Sequence, residues 1–409
     1  MVVTAIYCKW DCKPKTARYS VNISTNETAQ AKTTRAMPLA YATRAPTDVP
    51  RRKATQKTHT QNTIIWPKIA LKFPTFSTIG NLPLHTDIQF AITLTSKSTT
   101  FDCYGRKHVT TNWIAVDWGT SSLRAWAIDA HGQTHATAHS SKGMGTLTPD
   151  AFEAALLDLI TPWLEANTTQ KPMQVIACGM VGARQGWTEA LYAGVPCLPI
   201  SATLTKAPTK DPRIEVLIVP GLSQNTPADV MRGEETQIAG FQAEFPKFDG
   251  IICLPGTHTK WAHVSAGEVV SFQSFMTGEI FALLSSHSVL KHSLRDGTWD
   301  DAAFDEALAD ALSRPEKLAA KLFSLRAEDL LHGLDGGAAK ARLSGLLIGA
   351  ELAAAKPYWL GQMVALIGAD GLTDLYASAL KTQGIIAQRT DPTDMTLAGL
   401  KSARASILE

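Results

Sequence analysis

The chain has 409 residues, 45% of them apolar, with 39 Lys and Arg against 37 Asp and Glu and six Cys. At about 100–200 residues per domain, that length makes two or three domains, and the apolar share excludes a disordered or fibrous chain. The Cys are too sparse for a disulfide scaffold, and no uncharged apolar run of about 18 residues marks a membrane-spanning helix.

The net charge of +2 hides a split. Residues 1–112 hold 16 Lys/Arg and five Asp/Glu, whereas residues 113–409 hold 23 and 32. The first stretch also holds 21 Thr and shows no long amphipathic period. Its composition predicts a basic, poorly ordered extension. A transit peptide would share that composition but would be shorter and more amphipathic. A nucleic-acid tail would carry its cations on one face, and here they are scattered. Translation from a start near Val109 would leave a self-contained chain of about 300 residues. No basic stretch followed by an apolar one opens the sequence, so no secretory leader is expected. Cys8 and Cys12 lack a second Cys/His pair, which argues against zinc.

From residue 113 the texture changes to alternating strands and helices. Residues 113–120 form an apolar run ending in Asp117-Trp118-Gly119-Thr120-Ser121-Ser122. Strands at 123–129 and 134–141, turned at His131-Gly132, complete an antiparallel meander. Phe152, Leu156, Leu159, Ile160 and Trp163 recur at helical spacing and predict a helix over 149–166. Strands follow at 173–180 and 214–219. A second unit then echoes the first. A strand at 250–254 runs into Pro255-Gly256-Thr257-His258-Thr259-Lys260, and a hairpin over 261–264 and 268–275 turns at Ala266-Gly267. An Ala- and Leu-rich helical region covers 277–356. A buried strand at 363–368, a helix at 371–383 and a strand at 385–389 finish the pattern. Two meander-plus-helix units predict a duplicated α/β fold with a cleft between two lobes, 113–240 and 241–409.

Four stretches carry candidate chemistry. Asp117 ends a strand, Gly119 lets the backbone approach a ligand, and the N–H groups and hydroxyls of Thr120 and Ser121 suit phosphate oxygens. Asp117 also suits Mg²⁺, which takes few carboxylates and keeps its waters. Gly256-Thr257-His258 repeats the pattern, so two Gly-Thr turns facing each other would clamp one polyphosphate. Gly368-Ala369-Asp370 puts small residues at a strand-to-helix turn, where a flat base packs against backbone. Asp229, Glu234 and Glu235 sit before an apolar helical stretch and suit a carboxylate that orients a hydroxyl. Each has a plainer structural reading, as a tight turn or as acidic residues complementing a helix N-terminus.

Several longer motifs together resemble the 2-dehydro-3-deoxygalactonokinase family. They are Asp-Trp-Gly-Thr-Ser-Ser-Leu-Arg-Ala-Trp from Asp117, Cys-Gly-Met-Val-Gly-Ala-Arg-Gln-Gly-Trp from Cys178, Met-Arg-Gly-Glu-Glu-Thr-Gln from Met231, Leu-Pro-Gly-Thr-His-Thr-Lys-Trp from Leu254 and Phe-Met-Thr-Gly-Glu from Phe275. The resemblance covers about residues 112–409 and leaves 1–111 outside. It implies a two-lobed actin-like/ribonuclease H-like ATPase fold and ATP-dependent phosphorylation of 2-dehydro-3-deoxy-D-galactonate at its 6-hydroxyl, with Mg²⁺ held at Asp117. It places the first phosphate loop at Asp117, Gly119, Thr120 and Ser121, the second at Gly256, Thr257 and His258, and the adenosine motif at Gly368, Ala369 and Asp370. Related sugar kinases use an Asp within Gly-x-Asp as base. Here the stretch reads Gly233-Glu234-Glu235, so Glu235 is favoured, with Glu234 and Asp229 behind it.

A sugar-acid carboxylate calls for a bidentate Arg. Arg184, beside Gln185 and Trp187, is the first choice, with Arg124 and Arg232 as alternatives. The implied setting is cytoplasmic, with a small-molecule substrate, no nucleic acid, no membrane and a homo-oligomer left open. A kinase of the same fold for another sugar acid, such as 2-dehydro-3-deoxygluconate, and a non-catalytic actin-like ATP-binding protein are the competing readings.

Overall fold

Side chains along the strand Trp113–Trp118 alternate between two buried faces, and that alternation organises the molecule. The computed structural model describes residues 110–166, 171–200 and 203–408, all within the unit Ser98–Glu409. The expected extension therefore lies, save for residues 110–112, outside the described residues.

In chain order, β1 (Trp113–Trp118), β2 (Leu123–Ile128) and β3 (Thr134–Ser140) are followed by α1 (Phe152–Glu165) and β4 (Met173–Gly179). Five further strands come next: β5 (Ala193–Gly194), β6 (Thr205–Lys206), β7 (Ile214–Ile218), β8 (Leu222–Asn225) and β9 (Ala228–Met231). Helix α2 (Glu234–Glu244) leads to β10 (Gly250–Leu254), β11 (Thr259–Ser265) and β12 (Glu268–Phe275). A helical region holds α3 (Thr277–His287), α4 (Asp301–Ser313), α5 (Leu318–His332), α6 (Gly336–Ala354) and α7 (Lys356–Trp359). The described chain closes with β13 (Val364–Ile367), α8 (Asp370–Thr382), β14 (Gln388–Thr390) and α9 (Pro392–Ala405).

The first sheet has the order β3-β2-β1-β4-β7-β6 and the second β12-β11-β10-β13-β14. In each, the opening strand pairs antiparallel with its meander neighbour and parallel with the strand that returns through a helix. The repeated order is the duplicated α/β unit expected from the sequence. A third sheet, β5-β8-β9, was not legible in the sequence, because strands of two to four residues carry no periodic signal. The helical region breaks where capping side chains satisfy orphan N–H groups: Asp300 accepts from Ala303 at 3.0 Å, and Asp335 from Gly337 at 2.8 Å.

Ile114, Val116 and Trp118 pack on Phe152, Leu156 and Ile160 of α1. Trp113 and Ala115, on the opposite face, pack on Ala239 of α2 and on Leu400 and Ala403 of α9. In the second sheet, Ile252 and Leu254 meet Ile238 and Phe241 of α2 and Met395 of α9. Helices α2 and α9 thus give residues to the cores of both sheets. They cross at Gly240 and Gly399, where the backbones come so close that a Cβ on either would land on a carbonyl oxygen of the other helix. Each buried Leu, Ile or Phe on these faces contributes about 1.5–3 kcal/mol.

Candidate active site

Period-two alternation puts Asp117 on the same face of β1 as Trp113 and Ala115, the face covered by α9. Arg124 stands directly opposite it in β2. Its Nη2 donates to Asp117 Oδ2 at 2.5 Å, and its Nη1 donates to Thr393 Oγ1 at 3.2 Å. Arg124 therefore binds the carboxylate and the start of α9. The other carboxylate oxygen, Oδ1, has among the described residues only the Cys178 thiol, at 4.0 Å.

The turn after β1 is closed by Gly119 N–H on the Ser122 carbonyl at 2.9 Å and braced from behind by Met144 N–H on the Gly119 carbonyl at 3.0 Å. Asp117, Gly119 and Thr120 line a cavity of about 380 Å³. Ser121 lies on the exposed rim outside that lining. Gly256, Thr257 and His258 line the same cavity, as do Gly368 and Ala369, whereas Asp370, the first residue of α8, does not. The second turn is fixed to α3: Glu279 N–H donates to the Thr257 carbonyl at 2.9 Å, and His258 Nε2 lies 2.5 Å from Glu279 Oε2.

Gly233 (φ +103°) turns the chain into α2 in a conformation a side chain would strain, and so delivers two successive carboxylates. Glu234 borders the cavity, with Oε2 accepting the Arg232 N–H at 3.1 Å. Glu235 is 0% exposed: Oε2 accepts the Gly233 N–H at 2.6 Å and Oε1 the Thr236 hydroxyl at 3.0 Å. Glu234 rather than Glu235 thus borders the cavity, because a helix start sends consecutive side chains in different directions. Burial, reinforced by the charge of Glu234, pushes the Glu235 carboxyl up to about 8. Burial also raises Glu234, opposed by the positive charges of Lys260 and His258. The Lys260 ammonium donates to the Val230 carbonyl at 3.1 Å and the Ser274 hydroxyl at 2.5 Å. Asp229 sits on β9 rather than at a helix start. It accepts the Ser274 N–H at 2.6 Å and hydroxyl at 2.7 Å, tying β9 to β12 away from the cavity.

Arg184 and Gln185 lie on the surface outside the cavity. The Arg184 side chain is 81% exposed and pairs with Glu189 at 3.4 Å. The turn is drawn back by Trp187 N–H on the Val181 carbonyl at 2.9 Å. Trp187 points inward, with its ring centroid 6.2 Å from that of Trp118 and 6.3 Å from that of Phe152. Arg232, by contrast, lines the cavity.

Sequence reasoning gave no site role to Gly179, Met180, Gln237, Pro392 and Thr396 of the lining. A signal for the last two was present: Asp391-Pro392-Thr393-Asp394 is a capped helix start, and Asp391 accepts from Thr393 at 2.7 Å and Asp394 at 3.0 Å. Also missed was an adjoining apolar cleft of about 420 Å³ that shares Gly256 and Thr257. Phe281, Trp299, Leu347, Leu372 and Tyr376, from separate helices and a loop, line it. Among the described residues, no group of three or more His, Cys, Asp or Glu is placed to hold a metal, and no helix is long and apolar enough to cross a membrane.

Comparison with known proteins places this geometry in context. The family model described as 2-keto-3-deoxy-galactonokinase matches residues 117–403. A Rhizobium meliloti (strain 1021) protein named "Probable 2-dehydro-3-deoxygalactonokinase DgoK1" is 38% identical over 304 residues, which is 72% of this chain and 97% of that protein. The 2-dehydro-3-deoxygalactonokinase of Escherichia coli (strain K12) is 34% identical over 281 residues, covering 68% of this chain and 91% of its own length. A crystal structure of a Sinorhizobium meliloti protein carrying the same kinase name superposes with a TM-score of 0.66 at 38% identity, over 72% of this chain and 99% of that one.

Proposed function

Because the chain belongs to the 2-keto-3-deoxy-galactonokinase family, we propose that it phosphorylates 2-dehydro-3-deoxy-D-galactonate on its 6-hydroxyl with ATP. The observation that carries this reading is one polar cavity where Asp117, two Gly-Thr turns and Glu234 meet, opening beside an apolar cleft. Phosphates need backbone N–H groups and small residues, and a purine needs an apolar slot. Both lie side by side here and share Gly256 and Thr257.

The residues present fit Mg-ATP. A Cβ built on Gly256 meets nothing within 4 Å, so the second turn faces open space. Asp117 keeps one carboxylate oxygen free of the Arg124 pair, which suits a cation that holds most of its waters and takes one or two carboxylates. Bound there, Mg-ATP would supply the phosphoryl group and neutralise its charge. Gly119, Thr120, Gly256 and Thr257 would hold the phosphates, and Phe281, Trp299 and Leu372 the base beside Gly368 and Ala369.

Glu234 orients the 6-hydroxyl and takes its proton as the oxygen attacks, with ADP as the leaving group. Its raised proton affinity suits a base working near neutral pH. Glu235 holds the Gly233 turn and so sets the position of Glu234. Pro392 and Thr396 of α9 line the same cavity as Glu234. Such a reaction belongs in the cytoplasm, where ATP is supplied.

A coupled ADP-release assay with the keto-deoxy acids derived from galactonate and from gluconate tests the proposal. ADP release dependent on the galactonate-derived acid is expected. Release with the gluconate-derived acid alone would move the substrate to the other epimer, and release with neither would sink the kinase reading.

A further inference from the structure

Arg232 presents an anomaly that the phosphate turns do not explain. It is 8% exposed, and the residue borders the cavity. Nη2 donates to the Ala190 carbonyl at 2.6 Å, and the plane lies over the Tyr192 ring with Cζ 4.4 Å from the centroid. Nε and Nη1 are buried without a hydrogen-bond partner. No carboxylate among the described residues forms an ion pair with this guanidinium. The neighbouring Glu234 accepts from the Arg232 backbone N–H rather than from its side chain. A buried cation carrying unused donors is costly unless something anionic completes it. The fork of a guanidinium matches a carboxylate in two parallel hydrogen bonds.

Arg232 does not line the apolar cleft assigned to the base. Its supports, Ala190, Tyr192 and Gly182, belong to the first half of the described chain. A Cβ on Gly182 would approach Nη1 to 2.9 Å. The Gly256–Thr257 turn, the Gly368–Ala369 turn and the apolar cleft belong to the second sheet and its helices.

We infer that Arg232, held flat by Tyr192 and Ala190, binds the C1 carboxylate of the sugar acid and makes the enzyme selective for an acid over a neutral sugar. This rests on the kinase reading above, whose acceptor supplies the carboxylate. Glu234, two residues along, then faces the hydroxyl end of the same substrate.

The test compares wild type, Arg232→Gln and Arg232→Lys on two acceptors, the keto-deoxy acid and its C1 carboxamide. Steady-state kinetics are read alongside calorimetric binding of each acceptor without nucleotide. Wild type should prefer the acid strongly. Arg232→Gln should raise KM for the acid about 30-fold or more, as expected for a lost bidentate charge-assisted pair. It should leave KM for the carboxamide and for ATP nearly unchanged, so that the preference for the acid collapses. Arg232→Lys should recover part of the preference, because the charge remains and the fork does not. If Arg232→Gln lowers the melting temperature but keeps the acid-over-amide preference, the arginine is a structural strut and the inference is wrong. If KM for ATP rises and that for the acid does not, Arg232 reads a phosphate and the inference is equally wrong. Wild type that neither binds nor phosphorylates the acid overturns the kinase reading itself, a result distinct from either failure of the arginine.

Discussion

Glu234 and Glu235 differ by one position and by everything around them. Glu234 touches the cavity, and Glu235 is sealed against the Gly233 N–H and the Thr236 hydroxyl. Glu234→Gln should therefore lower kcat by about 10²–10⁴ with little change in KM, the range for losing a general base. Glu235→Gln should act mainly through stability. A carboxyl whose pKa is about 8 in the folded protein and near 4.5 when unfolded binds its proton more tightly when folded. Its contribution is favourable at low pH and is lost as the pH climbs from about 4.5 through about 8. Urea titrations across that window should show wild-type stability falling with pH, and Glu235→Gln should flatten the fall. A parallel slope in both proteins would contradict the assignment. Trp187 makes a separate point at this scale. It stands in a motif beside Arg184, yet its ring stacks in the core against Phe152. Trp187→Ala should cost about 3–5 kcal/mol in denaturant unfolding.

At the scale of elements, the crossing of α2 and α9 sets the site. Helix α2 carries Glu234 and Gln237 to the cavity, and α9 carries Pro392 and Thr396. The Gln237 amide donates to Thr396 Oγ1 at 3.2 Å, linking the two helices at the cavity wall. Gly240→Ala or Gly399→Ala would force the backbones apart, since the new methyl has no room. Each should lose at least about 1–3 kcal/mol of stability, the usual cost of overpacking, and should weaken binding of both substrates, because the walls shift together. A substitution that left the melting temperature unchanged would show that the crossing is looser than described. The cap of α9 is a milder lever: Asp391→Ala removes the acceptor for two N–H groups and should cost about 1 kcal/mol.

For the described unit as a whole, the two cavities differ in their chemical surroundings. The polar cavity is walled by both sheets, whereas the apolar cleft belongs to the second sheet and the helices around it. Phe281→Ala should therefore raise KM for ATP about tenfold, from the loss of one aromatic face, and leave KM for the sugar acid unchanged. Equal effects on both would argue that the cleft is not the nucleotide site. The matched family span begins at residue 117, and the described residues that line the two cavities lie at or beyond Asp117. A chain of residues 98–409 should keep the kcat and both KM values of the full protein.

The strands and the turns that follow them were legible in the sequence because their signals are local. Alternating apolar residues ended by Asp117-Trp118-Gly119-Thr120 and by Leu254-Pro255-Gly256-Thr257 need only the pleat of a strand and the freedom of glycine to become two turns on one cavity. Their repetition announced the duplicated fold. The direction of each polar side chain had to wait for the tertiary structure. Sequence puts Arg184 ahead of Arg232 as the partner for an anion. One hangs in solvent because its turn is pulled back onto Val181, and the other is buried, held by the Ala190 carbonyl 42 positions away and by the Tyr192 ring. The same holds for Glu234 and Glu235, and for the cleft assembled from α3, α6 and α8. A local pattern fixes which groups are available, because backbone geometry repeats over a few residues. Only packing between distant segments fixes which of them are buried, which are paired, and which are left with donors to offer a substrate.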